Sequence, residues 1–256
     1  MKQLKAVIFD VDGTLAETER DGHRAAFNRA FESAGLDWYW DEQLYGELLA
    51  VTGGKERIKF YLENYRKNLD FKGDLSELIN RLHADKTRFY VDLLASKAID
   101  LRPGVERLIH EIRETGLRLA IATTTTPANV TALLNSTLGT ESVHWFDCIA
   151  AGDVVAAKKP AGDIFIYCLQ QLGLDASDCL AVEDSGNGVK AAVAAGLPTI
   201  VTTSSYTGQE DFSGAISVFD TLGDDRHPCQ TLTGIKIDNT MVTVNDLKDL
   251  HEKNPR

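Results

Sequence analysis

The chain runs Lys5-Ala6-Val7-Ile8-Phe9 and then meets Asp10, with Asp12, Gly13 and Thr14 close behind. A continuous apolar run has no polar face to offer solvent, so it predicts a strand covered on both sides, as in a parallel sheet between helix layers. That constrains the fold more than any other segment, because parallel strands need long crossover connections, usually helical. The run ends on two acids at alternate positions, whose side chains leave an extended backbone on the same side. Two such carboxylates repel, and a divalent cation offsets the repulsion well. Open α/β sheets also place their chemistry at the C-terminal tips of such strands.

Strand-like runs recur at 118–123, 146–152, 179–184 and 198–203. Helical patterns separate them. Val105, Leu108, Ile109 and Ile112 follow Pro103-Gly104 at helical spacing, and Val189, Ala192 and Val193 precede Gly196 and Pro198. The alternation predicts an α/β fold with a doubly wound parallel sheet. Residues 19–97 break the rhythm, with helical faces such as Phe27, Ala30, Phe31 and Ala34 and no strand pattern. The expected organisation is therefore a core of 1–17 and 98–256 with an inserted all-α unit at 18–97. The stretch 220–256 is less regular, with a short strand and helix expected over 242–250.

The balance of 27 basic and 38 acidic residues gives a net charge of −11. Such a chain is a poor partner for nucleic acid, and an anionic substrate would need a locally positive pocket. No apolar run is long enough to span a membrane. The first residues are read as leading directly into the first strand, so no signal peptide is expected. Cys148, Cys168, Cys179 and Cys229 show no CxxC spacing. Buried free thiols and a cytoplasmic location are expected.

Three further segments carry candidate chemistry. Thr123 ends a strand and leads through Thr124 and Thr125 to Thr126-Pro127, which reads as a helix cap followed by proline in the first turn. A helix N-terminus beside a hydroxyl cluster can bind phosphate through backbone N–H groups. Lys158-Lys159-Pro160 supplies a cation that can neutralise charge between carboxylates and an oxyanion. Glu183 and Asp184 end another strand, and either Asp184 or Ser185 can also cap the helix that follows.

In this order, Asp10-x-Asp12-x-Thr14, Thr123, Lys159-Pro160 and Glu183-Asp184 resemble the four motifs of the haloacid dehalogenase superfamily of phosphohydrolases. The resemblance implies a Rossmann-like core with a helical cap. It implies Asp10 as nucleophile, Asp12 as general acid and base, and Thr123 and Lys159 as phosphoryl contacts. It also implies magnesium held by Asp10, the Asp12 backbone carbonyl and Asp184, with Glu183 direct or through water, an oxygen set that suits a hard cation. The family commonly has Pro two residues after the Lys-Pro pair, where this chain has Gly162.

A finer resemblance, to CbbY-type phosphatases, rests on DVDGTLAETE with His23, ATTTTPANV, AAGDVVAAKKP and above all TGGKERI at 52–58. It implies dephosphorylation of xylulose-1,5-bisphosphate, an inhibitor of Rubisco, in the Calvin cycle. Gly53 and Gly54 let backbone N–H groups approach an anion, and Lys55 and Arg57, with Glu56 between them, supply charge for a distal phosphate. Glu19, Thr124 and Thr125 join the expected substrate contacts. His83 and Lys86 stand next in line, and His23 is expected to serve within the cap. A hexose-phosphate phosphomutase and a non-enzymatic partner of Rubisco are the competing readings. The intact acid–Thr–Lys–acid set speaks against the second. The expected partner is a small phosphorylated sugar, and the expected state a monomer.

Overall fold

The computed structural model describes residues 3–67, 73–96 and 99–254. Its sheet has seven strands in the order β3-β2-β1-β4-β5-β6-β7. These are β1 (Ala6–Phe9), β2 (Arg118–Thr123), β3 (Cys148–Ala151), β4 (Cys179–Glu183), β5 (Thr199–Thr202), β6 (Ser217–Phe219) and β7 (Thr231–Gly234). The first six run parallel and β7 is antiparallel. β1 lies between β2 and β4, so their C-terminal tips converge on Asp10.

Alternation along the strands sorts side chains onto two faces. Val7, Phe9, Leu119, Ile121, Leu180 and Val182 pack against α5 (Val105–Glu114), α6 (Pro127–Thr137) and α9 (Val244–Glu252). Ala6, Ala120, Ala122, Ala150 and Ala181 lie on the other face, under α7 (Asp163–Leu172) and α8 (Gly186–Ala194). Small residues there let these helices sit close to the sheet, and Phe165 and Ile164 of α7 fill the space. This is the doubly wound arrangement the strand pattern implies. β6 and β7 were not foreseen. β6 is buried but only three residues long and begins on a serine, and β7 reads Thr-Leu-Thr-Gly on an exposed edge, so neither carries the longer apolar run of the other strands. The helical part of the 242–250 expectation matches α9, but Val242 is buried in a loop instead of a strand.

Between β1 and α5 the described elements are helical: a π-helical turn at Glu19–His23, then α1 (Arg24–Ser33), α2 (Glu42–Leu48), α3 (Gly54–Tyr65) and α4 (Leu75–Ala95). These helices enclose a separate core rich in aromatic residues: Phe27, Phe31, Trp38, Trp40, Tyr45 and Tyr61. Offset and edge-to-face contacts hold it together, Phe27 lying 4.7 Å and Phe31 4.9 Å from Trp40 between ring centroids. The two connections to the sheet run side by side, with Ala16 bridged to Leu101. The expected boundary at 97/98 lies outside the described residues. All four cysteines are free and buried.

Candidate active site

Three carboxylates meet at the strand tips. Asp10 follows β1, Glu183 ends β4 and Asp184 follows it, and oxygens of all three lie within 4.8 Å of one another. Lys159 reaches across from the loop before α7. Its Nζ donates to Asp10 at 2.6 Å, to Glu183 at 2.5 Å and to the Ala122 carbonyl at 2.9 Å. Burial pushes the Asp10 carboxyl up to about 8 against the pull of Lys159. Burial, then Asp10 and Glu183, push Asp184 well above the carboxylate range. One ammonium among three buried carboxylates leaves negative charge to be offset. The donor set, all oxygen and close-packed, fits a hard divalent cation. Gly13 makes this packing possible: its φ is +90°, and a Cβ there would strike the Asp184 carboxylate.

Asp12 lines the same cleft but has different partners. Its Oδ1 accepts the Thr18 hydroxyl at 2.6 Å and His23 Nε2 at 2.8 Å. Lys86 Nζ donates to His23 Nδ1 at 2.9 Å, which fixes the ring proton on Nε2. Burial pushes the Asp12 carboxyl up, but His23, Thr18 and Lys86 outweigh it and hold it at about 2. Lys86 is itself lowered to about 8 by burial. His23, expected to serve within the cap, thus spans from a helix of the insertion to the second acid of the first motif. The π-helical turn that ends on His23 sets its position, and such turns recur at functional sites.

The opposite wall comes from the insertion. Arg57 is buried, with Nη1 2.8 Å from the Tyr45 hydroxyl and 3.6 Å from a Glu19 carboxylate oxygen. The Tyr45 hydroxyl donates in turn to Glu19. Asp10, Asp12, Glu19, Arg57, Thr123, Thr124, Lys159 and Asp184 therefore line one cleft of about 480 Å³, a size usual for small-molecule sites. A smaller chamber of about 40 Å³ adjoins it, lined by Gly53, Gly54, Arg57, His83, Lys86, Thr125 and Asn129 among others. Burial, then Lys86 and Lys55, lower the His83 imidazole to about 4.

Thr126 does begin α6, but its side chain makes no capping bond and its hydroxyl is buried without a partner. Ser185, by contrast, caps α8 by accepting from Gly188 N–H at 3.1 Å. Lys55 and Glu56 line neither cavity; Lys55 lies 3.6 Å from Asp153, across from the insertion to the sheet domain, and its side chain is 42% exposed. Lys158 donates to the same Asp153 at 2.6 Å. Tyr45 was not foreseen, because a tyrosine on an amphipathic helix reads as core. Only its long-range partners show otherwise.

The haloacid dehalogenase-like hydrolase family model matches residues 4–196. Protein CbbY (plasmid) of Cupriavidus necator is 49% identical over 225 residues, covering 88% of this chain and 88% of that protein. The crystal structure of CbbY from Rhodobacter sphaeroides in complex with phosphate has a TM-score of 0.79 at 47% identity, covering 85% of this chain and 94% of that one. A D10N mutant of that protein in complex with xylulose-(1,5)bisphosphate has a TM-score of 0.80 at 45% identity, covering 85% and 94% of the two chains.

Proposed function

This chain belongs to the haloacid dehalogenase-like hydrolase family and is a phosphatase, and we propose that it is a magnesium-dependent one acting on a ketose bisphosphate, most closely xylulose-1,5-bisphosphate. One observation carries the reading: cationic side chains stand at both ends of the cleft, Lys159 at one and Arg57 with Lys86 at the other. At one end the acid cluster and Lys159 receive the reacting phosphate. At the other, Arg57 and Lys86 meet the turn that begins α6, where backbone N–H groups favour a second anion. A small sugar carrying two phosphates spans such a site.

Asp10 attacks phosphorus. A bond from its carboxylate oxygen to phosphorus forms as the bond to the sugar oxygen breaks, and Asp12 passes a proton to the departing oxygen. Water then attacks the aspartyl phosphate, Asp12 takes a proton from it, and the Asp10–phosphorus bond breaks. Its hydrogen bonds to Thr18 and His23 keep Asp12 ionised in the empty site. It therefore takes up a proton from solvent as the anionic substrate binds, gives that proton to the departing oxygen, and regains one from the attacking water. Lys159 and the Thr123 hydroxyl hold phosphoryl oxygens. Magnesium bound by Asp10, Asp184 and the Asp12 carbonyl, with Glu183 beside them, would offset the charge of the carboxylates and of the phosphoryl group. The helices from Glu19 to Ala95 would act as a cap that excludes water, with 18–97 as the cap and 1–17 with 98–256 as the core.

Phosphate release measured with magnesium over sugar mono- and bisphosphates tests the reading. The bisphosphate is expected to have the highest kcat/KM. Equal kcat/KM for the corresponding monophosphate, or conversion of a hexose 1-phosphate to its isomer, would overturn it. EDTA is expected to abolish release and magnesium to restore it; turnover undiminished in EDTA would remove the metal from the scheme.

Arg57 is the stronger candidate for the distal phosphate, since it lines both cavities, whereas Lys55 faces Asp153. A charge-assisted hydrogen bond is worth about 1.5–3 kcal/mol. Arg57→Met is therefore expected to lower kcat/KM for the bisphosphate roughly ten- to a hundredfold while sparing the monophosphate. Lys55→Ala removes an exposed pair and is expected to cost at most about fivefold on either substrate. Parallel assays of the two variants on both substrates check the assignment, and equal losses on the monophosphate would reject it.

A further inference from the structure

The cap's aromatic core contains one residue that does not come from the insertion. Among the described residues packed into that cluster, only Tyr206 belongs to the sheet domain, in the loop after β5. Its ring lies 6.0 Å from that of Tyr45, and it faces Gly46 so closely that a Cβ there would stand 3.3 Å from its ring. Gly46 is the second residue of a matched pair: the cap offers no side chain at that point, and the ring fills the space. Asn187, at the start of α8, reaches the cap beside it, 3.4 Å from the Thr52 hydroxyl.

The loop that presents Tyr206 is fixed at both ends. Thr207 Oγ1 accepts from Ser204 N–H at 2.8 Å, and Glu210 accepts from Gly186 N–H at 2.6 Å. Ser205 Oγ donates to Glu17 at 3.0 Å, on the connection leading to the cap. At its start, Ser204 stands with Asp184 around Gly13. One short segment therefore extends from the acid cluster to Tyr45, and Tyr45 is the residue that holds Glu19 and Arg57.

We propose that Tyr206 is a positioning residue for substrate selection: its ring seats Tyr45 and so places Arg57 at a set distance from Asp10. The inference rests on the two-anion reading of the cleft. It predicts that the ring matters for a ligand that spans both ends and not for one that occupies the acid end alone. The phenolic oxygen is buried without a hydrogen-bond partner, so phenylalanine is expected to serve as well.

The test uses the full chain carrying Asp10→Asn, with magnesium present, and measures binding of xylulose-1,5-bisphosphate and of inorganic phosphate by calorimetry. Added Tyr206→Leu is expected to weaken bisphosphate binding about tenfold or more while phosphate binding stays within about twofold; added Tyr206→Phe is expected to change neither by more than about twofold. Gly46→Ala, which crowds the ring from the cap side, is expected to give the same selective loss even where Tyr206→Leu folds poorly. Unchanged bisphosphate binding in Tyr206→Leu and Gly46→Ala, or equal loss of both ligands, overturns the inference alone. A parent that binds phosphate but not the bisphosphate overturns the two-anion reading and this inference with it.

Discussion

Replacing Asp10 by Asn is expected to lower phosphate release by at least about four orders of magnitude, because in the proposed mechanism it removes the atom that attacks phosphorus and leaves its surroundings in place. The fold is expected to survive. Asn keeps the shape of the side chain, and Lys159 retains its bonds to Glu183 and the Ala122 carbonyl. Stability in the absence of metal should be equal or higher, since burial and the neighbouring Glu183 and Asp12 already push the Asp10 carboxyl up to about 8 and Asn matches its neutral form. Single-turnover assays joined with thermal melts separate these effects. Release near the wild-type rate would reject an aspartyl-phosphate route, and a collapsed melting temperature would assign Asp10 a structural role.

The chemistry at the strand tips was legible in the sequence because it is local. Asp10 and Asp12 share one short segment, Glu183 and Asp184 are neighbours, and each pair follows an apolar run that could only be a buried strand. The parallel order of the sheet places those tips together, so the geometry of Asp10, Lys159, Glu183 and Asp184 follows from the topology. What the sequence did not disclose depends on contacts between distant segments. His23 on the π-helical turn meets Asp12 eleven residues earlier and Lys86 sixty-three residues later. Tyr45 joins Glu19 to Arg57 from a third helix. No spacing rule encodes these meetings, since they depend on how the cap helices cross. Lys55 shows the converse. Its motif suggested a ligand contact, but it sits on the first turn of α3, 3.6 Å from Asp153 and outside the lining of either cavity.

The same locality explains the faces of the sheet. Period-two alternation in β1 puts Val7 and Phe9 toward α5 and α6, and Ala6 and Ile8 toward α7 and α8. The alanine-rich side brings α7 close to the sheet, and α7 follows directly on the loop bearing Lys159. Lys159 also passes over the Phe165 ring, 5.0 Å from its centroid, which helps to keep the stem of a buried lysine in an apolar surrounding. Packing and chemistry are therefore set by the same residues at this end of the cleft.

Lys159→Met is expected to destabilise the metal-free protein strongly and to do so much less when magnesium is present. The lysine is 5% exposed and its ammonium lies between Asp10 and Glu183, of which Glu183 is fully buried. Methionine preserves the length of the stem but leaves the carboxylates without a counterion, and breaking a buried pair in this way costs about 3–5 kcal/mol. In a domain of this size that lowers Tm on the order of 10 °C. Asp10, already pushed up to about 8, largely holds a proton at neutral pH without metal, so less charge is left unpaired, which favours the lower end of that range. Divalent metal binds only the folded cluster, so it stabilises the variant by mass action and restores most of the missing charge. Activity should still fall about 10²–10³-fold with magnesium present if, as proposed, Lys159 turns a hydrogen bond toward the transferring phosphoryl group, which the metal does not replace. Melting curves of wild type and variant, each with EDTA and with magnesium, decide the matter. If the variant melts with the wild type in EDTA, Lys159 does not balance the charge of the cluster. If magnesium raises both melting temperatures equally, the metal and the lysine do not offset the same carboxylates.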